Sequence, residues 1–196
     1  MHEGSRIGVF GGTFDPPHVG HLVAAVNVAH QLSLDLVLFV VADVPWQKVG
    51  NREISDAADR LAMVDLAVGG RSMLETSRIE IQRGGDSITA ETVEALAPLY
   101  PGAELIVILG SDAAAGVGSW RRADDLRRLA KMAIIDRPGT TGERPPAGFV
   151  YEVVPCPLMD ISSSDIRERV QAELPVDYTV PDDVLGYIES QRLYRP

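Results

Sequence analysis

The stretch FGGTFDPPHVGH, residues 10–21, decides the fold of this chain. It follows a short apolar run, residues 7–10, that predicts a buried first strand. It leads into residues 22–32, where apolar side chains recur at the spacing of one helical face. The sequence therefore predicts a strand that ends in two glycines, turns, and brings two histidines to the start of a helix.

This turn has the chemistry of a phosphate site. Gly11 and Gly12 remove side chains where a backbone or a phosphate group can come close. A helix N-terminus offers unpaired N–H groups and a positive dipole end, which favour an anion. His18 and His21 are three residues apart, so they share one face if the helix has begun. Either histidine alone would indicate only a solvated side chain, but the dense combination favours a functional site.

The stretch resembles the signature of the nucleotidyltransferase superfamily, in which His-x-Gly-His follows the first strand of a Rossmann-like sheet. It is not the dinucleotide fingerprint, because Gly-x-Gly-x-x-Gly is absent, and it is not a P-loop, because no Gly-Lys-Ser/Thr follows. The resemblance implies an ATP site whose first half comprises Gly11, Gly12, Thr13, Phe14, His18 and His21.

Length, composition and net charge limit the classes of protein to which this chain can belong. A chain of 196 residues is most simply one unit, so we expect a single nucleotidyltransferase domain over residues 1–196. The hydrophobic fraction of 45% and charged fraction of 23% are typical of a soluble globular protein. A formal net charge of −10 argues against a nucleic-acid partner, which would require a basic surface. A phosphate site must then be a local positive pocket.

Cysteine usage and hydropathy predict the compartment. The one cysteine, Cys156, cannot form an internal disulfide, which fits a reducing cytosol. It lies between two prolines, which favours an inert small residue over a nucleophile. No apolar run reaches the roughly 20 residues of a membrane span, and the N-terminus lacks a signal-peptide layout. We expect a soluble, cytoplasmic protein with no membrane partner, and the sequence leaves room for an oligomer.

The rest of the chain alternates strands with helices. Strands are predicted at residues 36–41, 73–81, 105–109, 132–135 and 149–154, and helices after Ser55 to residue 68 and at 87–99 and 123–130. The run 36–41 is apolar throughout, which is typical of a strand covered on both faces. The alternation predicts an α/β fold: a Rossmann-like, doubly wound, mostly parallel sheet with helices on both faces.

In such folds the ligands bind beyond the carboxyl ends of the strands. Four segments of this chain are predicted to lie there: residues 11–21, 45–48, 110–112 and 161–167. We therefore expect these four loops to converge on one crevice.

The stretch ISSSDIR, residues 161–167, is a second candidate phosphate station. Ser162 with Asp165 forms a capping box, and Ile161 with Ile166 fits a hydrophobic staple. The next two serines lie in the first turn, where hydroxyls and N–H groups suit an anion, and an arginine follows one turn later. Alone, this pattern would favour a capped surface helix. The resemblance implies instead that Ile161, Ser163, Ser164 and Arg167 bind the ATP phosphates.

Further matches narrow the resemblance to the bacterial nicotinate-mononucleotide adenylyltransferase family. They are PWQK at 45–48, SITAET at 87–92, GSD at 110–112, Trp120, RPG at 137–139, and Tyr187, Ile188, Leu193 and Tyr194. The resemblance implies an adenosine site at Gly110 and Asp112, a nicotinate-mononucleotide site at Thr13, Lys48, Thr89, Trp120 and Arg137, and catalytic roles for His18, His21, Lys48 and Arg167. Taken alone, Trp120 could be a core aromatic, and residues 110–112 an ordinary turn.

Three positions in two segments depart from the family pattern. The usual loop reads Pro-Pro-His-Lys, whereas Trp46 and Gln47 stand here at the second proline and the histidine, with Lys48 in its usual place. An aromatic residue usually precedes the threonine of the nicotinate site, and here Ile88 replaces it. One wall of the nicotinate pocket is therefore expected to be aliphatic.

The resemblance implies direct adenylyl transfer from ATP to nicotinate mononucleotide, giving deamido-NAD and pyrophosphate. No protein nucleophile is evident in the motifs, so catalysis would rest on positioning and on stabilising charge at phosphate oxygens. Mg²⁺ is expected with the polyphosphate, held by phosphate oxygens and water, and no protein metal site is predicted. The alternatives are a pantetheine-phosphate adenylyltransferase or a cytidylyltransferase, a non-catalytic nucleotide-binding module, and an aminoacyl-tRNA synthetase fragment.

Overall fold

The computed structural model describes residues 4–45, 54–136, 142–157 and 159–195. Six strands form one sheet within these ranges: β1 Arg6–Gly12, β2 Leu36–Val41, β3 Leu74–Ser77, β4 Glu104–Gly110, β5 Lys131–Ile135 and β6 Tyr151–Val153. Their order across the sheet is β3-β2-β1-β4-β5-β6, and neighbouring strands run parallel. This is the doubly wound order, which reverses between β1 and β4. The predicted fold class is confirmed.

The helices connect the strands and follow the last one. They are α1 Val19–Gln31, α2 Ala57–Val68, α3 Ile79–Arg83, α4 Thr89–Leu96, α5 Ser111–Ala115, α6 Ala123–Leu129, α7 Ser163–Gln171 and α8 Asp182–Ser190, with a short 3₁₀ helix at Val117–Ser119. The sequence predicted α1, α2, α4 and α6 to within about three residues at each end, the usual uncertainty of helix boundaries. The capping pattern predicted α7.

The prediction of one strand over residues 73–81 is wrong in its second half. The strand ends at Ser77, and Ile79 begins α3. Residues two apart on a helix point about 200° away from each other. Accordingly, Ile79 packs against the core on one side of the sheet and Ile81 against the core on the other. In a short helix that packs between two cores, apolar residues two apart are both buried. Its sequence therefore shows the same apolar alternation as a strand.

Strand β2 shows why both faces of the sheet are covered. Its side chains Val37, Phe39 and Val41 pack with α1 and α2, while Leu36, Leu38 and Val40 pack with α4 and α6. All six residues of the strand are buried. The continuous apolar run therefore reflects two helical layers, one on each face.

The C-terminal helices form a third packed cluster against α2. Met63 of α2 contacts a group of buried residues that includes Ile166 of α7 and Ile188 of α8. The Tyr187 hydroxyl donates to Asp59 Oδ1 at 2.9 Å, which ties α8 to the start of α2. This packing brings the end of the chain beside the turn that follows β1.

None of the helices in the described ranges combines the length and the apolar character that a bilayer span requires.

Gly8 lies in the middle of β1, and replacing it with alanine should destabilise the protein by about 1–3 kcal/mol, because the core there has no room for a methyl group. A Cβ at this position would lie 2.8 Å from Ile108 Cδ1 and 2.9 Å from Leu34 Cδ1. Urea denaturation measures the change in the free energy of unfolding.

The control is Gly186→Ala in α8, where an added Cβ meets nothing within 4 Å. Because alanine favours a helix interior more than glycine does, this variant should gain about 0.5–1 kcal/mol. Changes of the same sign in the two variants would contradict this account of the packing at β1.

Candidate active site

A cavity of about 660 Å³ opens at the carboxyl ends of β1 and β4, where the strand order reverses. Its lining includes every described residue that the sequence assigned to the site: Gly11, Gly12, Thr13, Phe14, His18, His21, Thr89, Gly110, Asp112, Trp120, Ile161, Ser163, Ser164 and Arg167. Lys48 and Arg137 lie outside the described residues, as do Trp46 and Gln47. Ligands of doubly wound sheets bind at this switch point.

The two glycines after β1 have different roles. A Cβ on Gly11 would meet nothing within 4 Å, so this position leaves space open in the cavity wall. A Cβ on Gly12 would lie 2.8 Å from the ring of Phe14. Gly12 is therefore required by packing, because the buried Phe14 ring lies directly against the backbone there.

The two histidines of the turn hold each other in place. His18 precedes the first residue of α1, and its backbone N–H donates to His21 Nδ1 at 3.1 Å. The two rings lie 3.7 Å apart between centroids, tilted by 32°. Because Nδ1 of His21 accepts a hydrogen bond, the neutral ring carries its proton on Nε2. His21 is thus oriented as a donor through Nε2, the form that suits a phosphate oxygen.

Two aromatic rings pack against the ring of His21. Its ring makes edge contacts with Phe14 at 5.0 Å and with Phe10 at 5.9 Å between centroids. Phe14 has φ of 49°, the left-handed region that non-glycine residues rarely adopt, and it is 3% exposed. These aromatic contacts restrict the His21 ring and lower the local dielectric. A hydrogen bond from His21 to an anion therefore gains strength.

The start of α1 offers fewer backbone donors than the sequence analysis expected. The N–H group of Val19, the first residue of the helix, donates to the carbonyl oxygen of Thr179 at 2.9 Å. That N–H group is used to bind the loop before α8. In the proposed phosphate site, the donors are therefore mainly the side chains of the two histidines.

The second candidate phosphate station, residues 161–167, is hydrogen-bonded directly to the turn after β1. Ser162 caps α7 as predicted, with its Oγ accepting from Asp165 N at 3.1 Å. The Ser163 hydroxyl donates to the carbonyl oxygen of Pro16 at 2.8 Å. Arg167 donates through Nη1 to the carbonyl oxygen of Asp15 at 2.8 Å and through Nη2 to Ser164 Oγ at 3.0 Å. Residues far apart in the sequence thus form one continuous surface.

The Asp15 carboxylate is fixed by the end of the chain. Asp15 is 1% exposed and accepts from the Tyr194 hydroxyl at 2.8 Å. Burial, with the negative charge of Asp15 beside it, raises the pKa of Tyr194, so this hydroxyl stays protonated and remains a donor. No local pattern could have predicted a contact between residues 179 positions apart.

The side of the cavity near Thr89 contains groups that the sequence analysis did not assign to the site. The buried Glu80 of α3 accepts from the Thr92 hydroxyl. Arg121 pairs with Asp86, both about half exposed. Ser87 also lines the cavity, and its buried Oγ has no hydrogen-bond partner among the described residues. Polar groups of both charge signs therefore surround this end of the cavity.

Carboxylates in the lining do not form a metal cage within the described ranges. No group of three or more His, Cys, Asp or Glu side chains there is placed to hold a metal ion. Asp112 lies in the first turn of α5 and Asp136 just after β5, both at the cavity wall. Asp136 accepts from Arg144 Nη1 at 2.7 Å, so its carboxylate already takes part in an ion pair.

Comparison with known proteins identifies the family. A cytidylyltransferase-like family model matches residues 9–169. The probable nicotinate-nucleotide adenylyltransferase of Saccharopolyspora erythraea is 46% identical over 197 residues, covering 100% of this chain and 92% of the relative. That of Corynebacterium kroppenstedtii is 44% identical, covering 97% and 92%. The chain belongs to the nicotinate-nucleotide adenylyltransferase family.

Solved structures with the same fold support the architecture of this family member. Nicotinic acid mononucleotide adenylyltransferase of Plasmodium falciparum, complexed with NaAD, superimposes with a TM-score of 0.80 at 19% identity, covering 97% of each chain. The putative nicotinate-nucleotide adenylyltransferase of Vibrio parahaemolyticus gives a TM-score of 0.71 at 20% identity, covering 97% of this chain and 95% of the other. At such low identity the likeness concerns the fold alone.

Cys156 of this adenylyltransferase should react slowly with iodoacetamide, and ATP should slow the reaction further. Burial raises the pKa of the Cys156 thiol, so less of the reactive thiolate exists at pH 7. Cys156 also lines the cavity, where a bound nucleotide would cover it. Because the chain has one cysteine, intact-mass spectrometry reads the reaction directly.

Urea-unfolded protein provides the reference rate for the alkylation of an exposed thiol. A folded-state rate equal to that reference, or one that saturating ATP leaves unchanged, would contradict the placement of Cys156 in the cavity wall.

Proposed function

We propose that this enzyme transfers the adenylyl group of ATP to nicotinate mononucleotide by direct in-line attack of the mononucleotide phosphate on the α-phosphorus. The new phosphoanhydride bond forms as the bond between the α-phosphorus and the bridging oxygen breaks, giving deamido-NAD and pyrophosphate. One observation carries the proposal: the histidine turn and the start of α7 join in one cavity through the Arg167–Asp15 and Ser163–Pro16 hydrogen bonds.

ATP occupies the half of the cavity between β1 and β4 in this proposal. The residues assigned to it are Gly11, Gly12, Thr13, Phe14, His18, His21, Gly110, Asp112, Ile161, Ser163, Ser164 and Arg167. Gly11 leaves open space beside the turn. Arg167 and Ser163 lie next to the carbonyls of that turn, and both are part-buried rather than enclosed, so phosphate oxygens can approach them from the cavity.

Nicotinate mononucleotide occupies the other half, assigned to Thr13, Lys48, Thr89, Trp120 and Arg137. Thr89 is the first residue of α4, whose first-turn N–H groups have no acceptor within the helix. Trp120 is partly buried and lines the cavity, where it can stack on the pyridine ring. Lys48 and Arg137 are assigned from the family resemblance.

Catalysis in this proposal is positioning and charge stabilisation. His21 donates through Nε2 to the α-phosphate in the transition state, and His18 contacts the neighbouring phosphates. Lys48 and Arg167 neutralise the incoming and the departing phosphate groups. Preorganised donors of this kind need no reorganisation when the charge develops, which is why they lower the barrier.

Mg²⁺ fits this site as a partner of ATP. The described His, Cys, Asp and Glu side chains form no group that could hold a metal ion, so phosphate oxygens and water would supply the ligands of the ion. When bound, the ion would neutralise charge on the polyphosphate.

The proposal treats residues 1–196 as one nucleotidyltransferase domain that acts in the cytoplasm without nucleic acid. The family model ends at residue 169, but α8 packs on α2 and Tyr194 binds Asp15. The last part of the chain therefore completes the support of the site.

The decisive experiment supplies ATP with nicotinate mononucleotide and follows pyrophosphate release, with deamido-NAD identified by mass spectrometry. Pantetheine phosphate in place of the mononucleotide, and CTP in place of ATP, test the alternative transferases. Faster pyrophosphate release with either alternative would overturn the proposal.

His21→Ala should reduce kcat by roughly 10²–10³, the usual cost of losing one preorganised transition-state donor. His21→Asn tests the cause, because its side-chain oxygen can still accept from His18 N–H while the Nε2 donor is gone. We expect a similar loss of kcat in both variants.

His30→Ala is the matched control, since His30 lies exposed in the last turn of the same helix. It should keep the parent kcat. If His21→Asn also kept the parent kcat, the role of His21 would be limited to accepting the hydrogen bond from His18 N–H.

The enzyme should prefer the acid mononucleotide over its amide. A carboxylate only accepts hydrogen bonds, whereas an amide presents two donors to the hydroxyl and N–H groups at the start of α4. One buried mismatch costs about 1–3 kcal/mol, or about 5- to 150-fold in specificity. Arg121 also lines this end, though its half-exposed pairing with Asp86 limits its contribution.

Thr89→Val should reduce this preference, and Thr89→Ser, which keeps the hydroxyl, should retain it. The measurement is kcat/KM for both mononucleotides in each variant. Equal values in the parent enzyme would refute the acid preference, and an unchanged preference in Thr89→Val would assign it to other groups.

A further inference from the structure

Arg60 of α2 is a buried cation behind the active site. It is 2% exposed, and its guanidinium donates to four backbone carbonyl oxygens. Nε contacts Ser55 at 2.8 Å, and Nη2 contacts Asp43 at 3.0 Å. Nη1 contacts Thr13 at 3.1 Å and Ala42 at 2.6 Å. One side chain therefore joins three separate segments of backbone.

Three of these carbonyls, those of Thr13, Ala42 and Asp43, directly follow β1 or β2 at the end of the sheet where the cavity opens. Thr13 is part of the turn after β1 that is assigned to both substrates, and Thr13 and Ala42 line the cavity. Asp43 follows β2, and Ser55 precedes α2. In the sequence, Asp43 and Ser55 flank residues 46–53, so Arg60 holds the backbone on both sides of that segment.

A second set of hydrogen bonds extends this connection to the nicotinate side. Asp43 Oδ2 accepts from Gly85 N at 3.0 Å. Val44 donates to the Gly85 carbonyl at 3.3 Å and accepts from Ser87 N at 3.0 Å. Gly85 and Ser87 lead directly into α4, which begins at Thr89. The Arg60 guanidinium is thus connected to the turn after β1 through Thr13, and to the residues that precede Thr89 through Asp43.

Arginine suits this position for a physical reason. Burying a charge is costly unless its hydrogen bonds are satisfied, so a residue used only for packing would usually be apolar. The guanidinium offers five N–H groups in a rigid plane, which lets it hold several carbonyls at fixed positions. Lysine has a flexible point charge with three donors and cannot reproduce that fork.

We propose that Arg60 is a positioning residue for adenylyl transfer. Its guanidinium sets the distance between the turn after β1 and the segments that lead to the proposed nicotinate site at Thr89. The inference rests on the proposed function and deepens it. Because in-line attack requires the two phosphates to meet within a near-attack distance, a small displacement of either segment lowers kcat more than it weakens binding.

Arg60→Lys tests the proposal, with Arg6→Lys as the matched control. Arg6 also donates to a backbone carbonyl, that of Leu32, and pairs with Glu104 at 2.8 Å, but it lies at the opposite end of β1. Arg60→Lys should lower kcat by about 10²-fold with smaller changes in KM for both substrates, the scale for misplaced reacting groups. Arg6→Lys should keep the parent kcat.

A chemical rescue separates positioning from general loss of structure. Methylguanidinium added to Arg60→Ala should restore part of kcat, and it should not change the kcat of Arg6→Ala. If Arg60→Ala does not fold, the kcat and KM of Arg60→Lys decide the question. A loss of kcat in Arg60→Lys no larger than in Arg6→Lys would overturn the proposal.

Hydrogen–deuterium exchange gives a readout that does not depend on the reaction. In Arg60→Lys without substrates, peptides covering residues 8–18, 38–45 and 84–92 should exchange faster, while those covering β5 and α6 should not change. Unchanged exchange in the first group would overturn the inference even if adenylyl transfer is confirmed. Failure of the parent enzyme to release pyrophosphate would instead reject the proposed function and leave the exchange result to be judged by itself.

Discussion

The active site depends on hydrogen bonds from α7 to the backbone of the turn after β1. Arg167 and Ser163 donate to the carbonyls of Asp15 and Pro16 across 152 and 147 positions of sequence. Without these contacts the two stations proposed for phosphate would be separate helix ends. With them, the histidines and the serines face one cavity, and Tyr194 fixes the Asp15 side chain from the end of the chain.

The described part of the cavity wall carries charges of both signs in an acidic protein. Arg121, Arg167 and the two histidines line it, as do Asp15, Glu80, Asp112 and Asp136, and Arg60 lies buried behind it. Because the formal net charge is −10, a phosphorylated substrate is favoured by individual donors inside the cavity and not by the surface as a whole. A buried arginine that is satisfied by carbonyls keeps its full charge, which suits a site for two phosphorylated substrates.

Strain and packing are concentrated in the same turn. Phe14 adopts a left-handed backbone conformation, Gly12 leaves room for its ring, and that ring supports His21. Unfavourable backbone conformations persist only where the surroundings hold them, and here the surroundings are a buried aromatic group and a pair of stacked histidines. Each part of this turn therefore restricts the conformations open to the next.

Periodicity, capping and a dense signature are local properties, so the sequence alone predicted the doubly wound sheet, the main helices and the cap of α7. The described residues that it assigned to the site all line the cavity, but it missed Glu80, Ser87 and Arg121 in the same wall. It failed at Ile79 and Ile81, where a short helix between two cores has the alternation of a strand. Only the tertiary structure revealed the contacts of Tyr194 with Asp15, of Arg60 with three backbone segments, and of Glu80 with Thr92. Such hydrogen bonds depend on which distant segments the folded sheet brings together, and no spacing along the chain encodes that distance.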